Sequence, residues 1–241
     1  MKQFFKNPVA ILLLLFMAYS AISAGEFSDP KAWLMSKILI LPGIIIGLSF
    51  HEFGHAAVAY KLGDSTPKLQ GRLTVNPAAH IDPVGFVALL LVGFGWGRPV
   101  EINPRAFRNM RRDELLVSLA GVVMNLLLAI VFAIILGIYI RATGNYPHMG
   151  SMGEMISLML YYCIYINLVL MIFNLLPIPP LDGFNVVTEL FDLRKYEWWY
   201  KVYAYGDVLL IILIAFNFTG RIMTPILIKL MTMIENIFLP F

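Results

Sequence analysis

The residues best suited to chemistry in this 241-residue chain are five consecutive ones, HEFGH, at positions 51–55. On an α-helix, residues four apart share a face, so His51 and His55 would point at one common ion. Glu52 would lie about 100° further round the helix, beside that ion. Two imidazoles and a carboxylate able to deprotonate a metal-bound water are the components of a zinc hydrolase site.

The surroundings of this motif are unusual, because the stretch 34–63 otherwise has the composition of a membrane-spanning helix. Charged side chains cost roughly 2.5–3.5 kcal/mol each at the centre of a bilayer on insertion scales, so the chain must compensate for them. The whole chain is 59% hydrophobic and 14% charged, with a mean hydropathy of +0.77. This composition predicts a protein of the lipid bilayer and excludes a large soluble domain.

We predict an all-α polytopic membrane protein of about six transmembrane helices, because each span needs about 20 apolar residues. The stretch 84–96 is apolar but too short for an upright crossing, which indicates a short β-hairpin or a re-entrant element between core helices. The first apolar segment, 8–24, fits an uncleaved span better than a signal peptide. The predicted domain covers residues 1–241, divided into an N-terminal span (1–33), a core (34–190), and an interfacial segment with a C-terminal span (191–241).

The distribution of Lys and Arg predicts the orientation in the membrane. Three loops are rich in these residues, at 61–72, 98–112 and 194–201, whereas the loops at 25–33 and 141–154 are poor in them. If 84–96 does not cross, the basic loops share one side, which the positive-inside rule assigns to the cytoplasm. The net charge of +3 is small and lies mostly in loops, so no nucleic-acid partner is expected.

A catalytic zinc usually has three protein ligands and one open position, so a third donor is needed beside the two histidines. Asp182 follows an apolar span and a proline-rich turn, where a broken helix could bring its carboxylate to membrane depth. The same residue could equally cap the helix that starts at Gly183. Position alone leaves both interpretations open. The candidates for the third ligand are Asp64, His80, Asp82 and Asp182.

HEFGH on a membrane helix, paired with NLLPIPPLDG at 174–183, resembles the site-2 protease family of intramembrane zinc metalloproteases. That family carries HExxH on one span and N-x-x-P-x-x-x-L-D-G on another. The segments NPAAHIDPVG (76–85) and GWGRPVEINP (95–104) resemble its compact prokaryotic branch, which lacks PDZ and CBS domains. The resemblance extends over roughly residues 40–190.

The resemblance implies a single metalloprotease domain in a prokaryotic cell membrane, with one catalytic Zn²⁺. The positive-inside rule, applied to the basic loops, predicts that its active site opens toward the cytoplasm. The domain would hydrolyse peptide bonds within or near transmembrane segments of membrane-protein substrates. By the family pattern, His51, His55 and Asp182 bind the metal and Glu52 is the general base. Asn174 would lie near the reacting carbonyl, although a buried Asn also often bonds a neighbouring helix.

His80 and Asn125 each have two interpretations. A histidine between two X-Pro turns commonly makes a local hydrogen bond, whereas the resemblance puts His80 in the lining of the active site, shielding the metal or binding it without substrate. For Asn125, in the run LAGVVMNLL, packing between helices is favoured over a catalytic role. The glycines of the Gly43–Gly47 GxxxG pattern are expected to allow close helix packing beside the site.

Cleavage of a helical substrate requires local unwinding, and an unwound segment needs an edge with which to pair. The runs 73–75 and 100–102, each followed by Asn-Pro, are candidate edge strands, and ordinary loop structure is an equally good interpretation. The alternative function is a membrane metal-ion or proton transporter, which also places His, Glu and Asp in spans. Transporters usually show related halves, and none are visible here. The sequence leaves open a homo-oligomer, a regulatory membrane partner and the identity of the substrate.

Overall fold

The computed structural model describes residues 8–25, 27–93 and 95–240, and within them the chain is largely helical and forms no strand. In chain order the helices are α1 (Pro8–Ser23), α2 (Pro30–Lys61), α3 (Thr66–Leu69), α4 (Pro77–His80), α5 (Pro83–Val92), α6 (Met110–Thr143), α7 (Met152–Asn174), α8 (Asp182–Phe191), α9 (Glu197–Ala204), α10 (Gly206–Ala215) and α11 (Phe218–Phe238). Single 3₁₀ turns lie at Pro104–Ala106 and Leu193–Lys195.

Among the described residues, three helices are long and apolar enough to cross a membrane: α2, α6 and α7. The pair α9 and α10, bent by 59°, could form a fourth span. An all-helical membrane protein is therefore confirmed, but six spans are not. The 16 described residues of α1 and the 10 of α5 fall short of the roughly 20 that a span needs. Residues 1–7 of the predicted N-terminal span lie outside the part of the chain that the structure describes. The span predicted at the start of the C-terminal tail corresponds to α10, within the bent pair. The second apolar stretch of the tail, which the sequence leaves open as a span, forms α11 and carries three charges, at Arg221, Lys229 and Glu235.

The predicted β-hairpin is not confirmed either. Neither 73–75 nor 100–102 forms a strand, and the part of the chain that the structure describes has one isolated bridge, between Ile81 and Gly97. The reason lies in the X-Pro pairs, where proline takes the first helical position and the preceding side chain caps the helix. Short helical turns therefore form instead of paired strands, and the capping residues are Asn76, Asp82 and Asn103.

Local capping explains where the long helices begin. Asp29 accepts hydrogen bonds from the backbone N–H groups of Lys31 and Ala32, just before the proline that opens α2. At the start of α7, Ser151 and Glu154 form a reciprocal capping box. These interactions satisfy N–H groups that a helix leaves unpaired.

Glycines allow α2 to approach both of its large neighbours. A Cβ added at Gly43 would lie 3.1 Å from Cys163 Cα of α7, and one at Gly47 would lie 2.7 Å from Leu170 Cδ1. The GxxxG pattern thus packs closely against α7, as predicted. Because Gly43 lies against Cys163 and Gly47 against Leu170, α7 runs parallel to α2. On α6 the order is reversed, with Asn125 at Gly47 and Ala120 at Gly54, so α6 runs antiparallel to α2.

The apolar core lies between α6, α7 and α11, mostly along the C-terminal half of α6. Because lipid is as apolar as these side chains, close packing rather than escape from water stabilises the contact. This core leaves the N-terminal half of α6 free to face α2. Its most deeply buried members are Ala129, Ala133, Leu136, Ile164 and Leu168, and Met223 and Leu227 contribute from α11.

Candidate metal centre

The two histidines of the HEFGH motif meet on one face of α2. They lie one helical turn apart, and both are at least 92% buried. Their Nε2 atoms are 3.0 Å from each other, with the rings nearly perpendicular. The i, i+4 spacing therefore brings two nitrogen donors to one point, as the sequence predicts for His51 and His55.

Asp182 lies opposite these nitrogens as the first residue of α8. Its Oδ2 atom is 3.2 Å from His51 Nε2 and 3.3 Å from His55 Nε2. The N-cap of α8 is Leu181, and no side chain caps the helix. The carboxylate is therefore directed at the histidines and does not cap, which resolves the two interpretations left open by its position in the sequence.

The donor set fits a metal cation. The three ligand atoms lie within 4.8 Å of one another. Asp182 Oδ2 is buried, and no N–H or O–H group of the described residues donates a hydrogen bond to it. Burying a carboxylate without a partner costs several kcal/mol. Two imidazole nitrogens and one carboxylate oxygen form a ligand set that zinc favours, and a cation there would remove the cost.

The other ring nitrogens of the histidines are held by α6. His51 Nδ1 lies 2.7 Å from Asn125 Oδ1, and His55 Nδ1 lies 2.7 Å from the backbone oxygen of Val117. Asn125 is fully buried and does pack between helices, as favoured from the sequence, but it also contacts a candidate ligand. Sequence reasoning missed that contact because it could not indicate which face of α6 meets α2.

Glu52 lies beside the cluster and lines the adjoining cavity together with His51. Its Oε2 atom accepts a hydrogen bond of 2.9 Å from the backbone N–H of Val100. The loop before α6 therefore reaches the site through Val100, within the run 100–102 that was a candidate edge strand. In the structure this N–H holds a carboxylate and does not contribute to a sheet.

Asn174, the last residue of α7, lines the same cavity as Glu52. Its Nδ2 atom donates a hydrogen bond of 2.9 Å to Leu170 O, one turn earlier in the same helix. Among the described residues, the interhelical hydrogen bond considered from the sequence is not formed. Asn174 therefore lies on the same cavity as the histidine cluster.

His80 is not brought into the ligand cluster. It is 99% buried at the end of α4, where Nε2 donates a hydrogen bond of 2.7 Å to Thr74 O. Its backbone oxygen accepts from Arg98 N at 2.6 Å, which ties the loop between α4 and α6 together. The local hydrogen bond, one of the two interpretations of this residue, is the one that the structure contains.

The remaining acidic candidates have structural partners. Asp82 caps α5 by accepting hydrogen bonds from the N–H groups of Val84 and Gly85 at 3.0 Å. Asp64 is buried and accepts from the N–H groups of Thr66 and Asn103, at 2.9 and 2.7 Å. Both carboxylates therefore hold turns of the chain and are not metal ligands.

A second buried charged group lies toward the other end of α8. Arg194 forms an ion pair of 2.8 Å with Glu189 and another with Glu114, the latter near the start of α6. Arg111 Nη2 also donates a hydrogen bond of 2.6 Å to the backbone oxygen of Glu189. Burial raises the pKa of the Glu189 carboxyl to about 7. The positive charge of Arg194 opposes this rise, and the nearby Glu114 carboxylate adds to it.

The candidate metal centre opens into a cavity of about 600 Å³. Parts of α2, α5, α7, α10 and α11 surround it, and its lining is mostly apolar. A chamber of this size accommodates several side chains of an unwound peptide. The lining includes Leu48, Phe86, Leu89, Tyr165, Phe173, Leu210 and Met223.

Comparison with known proteins gives a consistent result. The sequence profile described as peptidase family M50 matches residues 39–214. Three curated proteins, each named "Putative zinc metalloprotease", are similar. YwhC of Bacillus subtilis is 38% identical over 76% of this chain and 83% of its own length. Rip2 of Mycolicibacterium smegmatis is 29% identical over 75% of this chain and 69% of its own length. MJ0611 of Methanocaldococcus jannaschii is 27% identical over 67% of this chain and 75% of its own length. No solved structure matches the chain significantly.

Proposed function

The chain belongs to peptidase family M50, and on that premise we propose that His51, His55 and Asp182 hold its zinc ion while Glu52 acts as general base. It is an intramembrane zinc metalloprotease. The observation that supports the ligand assignment is the buried Asp182 Oδ2, about 3 Å from two imidazole nitrogens and without a hydrogen-bond donor among the described residues. The transporter alternative is not favoured, because the family and the named relatives are peptidases.

The chemistry divides between the metal and the chain. When bound, zinc supplies a Lewis acid that polarises the scissile carbonyl and lowers the pKa of a water molecule. Glu52 is placed to move the proton, since it lines the cavity and Val100 N–H occupies only one of its two carboxylate oxygens, Oε2. The carboxylate takes a proton from the attacking water and delivers it to the amine nitrogen when the C–N bond breaks.

Asn174 is proposed to assist at the scissile carbonyl. An Asn amide has two N–H donors, and only one is needed for the hydrogen bond to Leu170 O. The second N–H can donate to the carbonyl oxygen as negative charge develops on it. His80 has no part in metal binding in this proposal, because it holds its own loop.

The substrates are membrane proteins, and the apolar cavity supports a segment that comes from within the bilayer. We infer that the site faces the cytoplasm, because the histidines lie near the end of α2 that is followed by the basic loop 61–72. Gln70→Cys should then react with an impermeant maleimide in inverted vesicles only. Gly150→Cys, in the loop between α6 and α7, should react in right-side-out vesicles, and the reverse pattern would overturn this orientation.

The test of the catalytic assignment is Glu52→Gln, measured on a membrane-tethered reporter substrate. Cleavage should fall roughly a thousandfold, within the range for loss of a general base, because an amide cannot take the proton. Zinc content by mass spectrometry should stay at the parent value, since Glu52 is not a ligand. Glu101→Gln is the matched control, because exposed Glu101 only accepts a hydrogen bond from Gln70. Undiminished cleavage by the Glu52→Gln variant would refute the assignment.

A further inference from the structure

One face of α6 lies directly against the two histidines of α2. It is formed by Val117, Gly121 and Asn125, which are spaced four residues apart and therefore follow one another on the same side of the helix. We propose that Asn125 is a positioning residue for the metal site. Together with Asn167 of α7, it fixes the proton of His51 on Nδ1, so that Nε2 presents its lone pair to the metal. This inference rests on the ligand assignment proposed above.

The orientation of the Asn167 side-chain amide is fixed by a backbone oxygen, which can only accept a hydrogen bond. Asn167 Nδ2 lies 2.8 Å from Cys163 O, so this atom of the side-chain amide must be the donor. The oxygen of the same amide, Oδ1, then faces the neighbouring side chain as an acceptor. Asn167 is fully buried, so no bulk water competes for either end of the amide.

The orientation of Asn125 follows from two acceptors. Its Nδ2 atom lies 3.0 Å from Asn167 Oδ1 and 3.1 Å from Gly47 O, which use both of its N–H groups. A flipped amide would place an oxygen against two other oxygens, in a site with no access to water. Asn125 Oδ1 therefore faces His51 Nδ1, 2.7 Å away, and this ring nitrogen must carry the proton.

The second histidine reaches the same state by an independent route. His55 Nδ1 lies 2.7 Å from Val117 O, and a carbonyl can only accept, so the proton is again on Nδ1. Between the two anchors, Gly121 leaves space for the rings. A Cβ at this position would lie 2.5 Å from His55 Nε2 and 2.7 Å from His51 Nδ1. Thus α6 sets both the tautomer and the position of the ligands.

Such contacts around a metal ligand have measurable consequences. Removing a group that holds the second nitrogen of a ligating His typically costs 10–100-fold in metal affinity. Only the His51 contact depends on a side chain, because His55 is held by the backbone. A substitution at Asn125 can therefore remove the contact that orients the His51 ring while the packing of α6 against α2 is retained.

The experiment compares Asn125→Leu with Asn125→Asp in the purified full-length chain in detergent. Zinc affinity is measured by competition with a chromophoric chelator, and folding by the unfolding midpoint of the metal-free protein. Leu has the same branched arrangement of side-chain heavy atoms but no acceptor, so the zinc Kd should rise 10–100-fold. Asp retains the acceptor toward His51 Nδ1, and a proton on its second oxygen can be donated to Gly47 O or Asn167 Oδ1, so its zinc Kd should stay within about threefold of the parent value.

If Asn125 only packed between helices, Asn125→Leu should bind zinc more tightly than Asn125→Asp, because an apolar side chain is tolerated there better than a buried carboxyl group. A zinc Kd for Asn125→Leu within threefold of the parent, or weaker binding by Asp than by Leu, would overturn the proposal. If Leu does not fold, Asn125→Ala takes its place with the same two outcomes. Ser157→Ala controls for general loss of polar contacts, because buried Ser157 of α7 donates a hydrogen bond to Asn145 O in the preceding loop. His51→Ala tests the ligand assignment separately, because it should abolish zinc binding whatever the role of Asn125.

Discussion

Helix α8 lies between two buried charged groups, and only one of them contains an arginine. At its first residue, Asp182 faces two histidine nitrogens and no cationic side chain of the described residues. Toward its other end, Glu189 and Glu114 face the guanidinium of Arg194. The chain thus supplies its own cation at one end of α8, and in the proposed assignment a zinc ion takes that place at the other end. Buried carboxylates require a partner in both cases, and the described residues offer Asp182 no cationic side chain.

The largest expected effect is that of Asp182→Ala, which removes the anionic ligand. Zinc content should fall well below one ion per chain, and reporter cleavage should fall roughly a thousandfold or more, because several kcal/mol of transition-state stabilisation depend on the metal. Asp192→Asn is the control, since Asp192 at the C-cap of α8 is half-exposed and its left-handed conformation suits Asn. Full zinc content in Asp182→Ala would remove the contrast between the two ends of α8.

Arg194→Met should have the next largest effect, on stability and not on metal binding. It leaves the Glu114 and Glu189 carboxylates buried without their cation, which costs about 2–3 kcal/mol, less than for a wholly buried pair because Arg194 is one-third exposed. We expect the Tm to fall by roughly 5–10 °C at unchanged zinc content. Adding Glu189→Gln should recover part of this loss. Loss of zinc from the folded Arg194→Met protein would contradict the independence of the two groups.

Two glycines on α6, one beside the histidines and one far from them, allow an effect on zinc binding to be distinguished from an effect on overall stability. Gly121→Ala places a Cβ 2.5 Å from His55 Nε2 and 2.6 Å from His51 Cε1, so the rings must move and zinc affinity should fall about tenfold. Gly137→Ala creates a comparable clash, with the backbone of Phe238, far along the helix from the site. It should lower the Tm without changing the zinc Kd. Equal zinc affinities in the two variants would argue against a specific role for Gly121.

The smallest expected effect is a difference in pH dependence at Glu189. Its pKa is about 7 in the folded protein against an ordinary 4.5, so the native state binds the proton more tightly than the unfolded chain. This contribution to stability is complete below pH 4.5 and is lost as the pH rises through about 7. Between pH 5 and 8 the parent Tm should therefore fall by roughly 2–4 °C more than that of Glu189→Gln, as about 1 kcal/mol implies. Parallel Tm curves would contradict the shifted pKa.

The sequence predicted the grouping of His51, His55 and Asp182 better than the membrane topology. The pair His51 and His55 follows from helical spacing alone, whereas Asp182 was ambiguous because a ligand and an N-cap look identical in a sequence. The structure distinguishes them because Leu181 is the N-cap and the carboxylate faces the histidines. Only the positions of α2 and α8 in space carry that information.

The remaining differences have physical causes in tertiary packing. Six spans were predicted from apolar length, but α11 combines apolar residues with charges and α5 is short. The candidate strand at 100–102 did not form, because Val100 N–H is used by Glu52 and Asn103 caps a helical turn. Asn125 resembled a packing residue because its partner, His51, lies 74 positions away in the chain.

The most direct test of the central claim is X-ray absorption at the zinc edge of the purified protein. Ligation by His51, His55 and Asp182 predicts scattering from two imidazole rings at about 2.0–2.1 Å, oxygen neighbours and no sulfur. The same spectrum should lose its zinc signal in Asp182→Ala but not in Arg194→Met. A sulfur neighbour, fewer than two imidazoles, or an unchanged spectrum in Asp182→Ala would contradict the assignment of the metal centre to this end of α8.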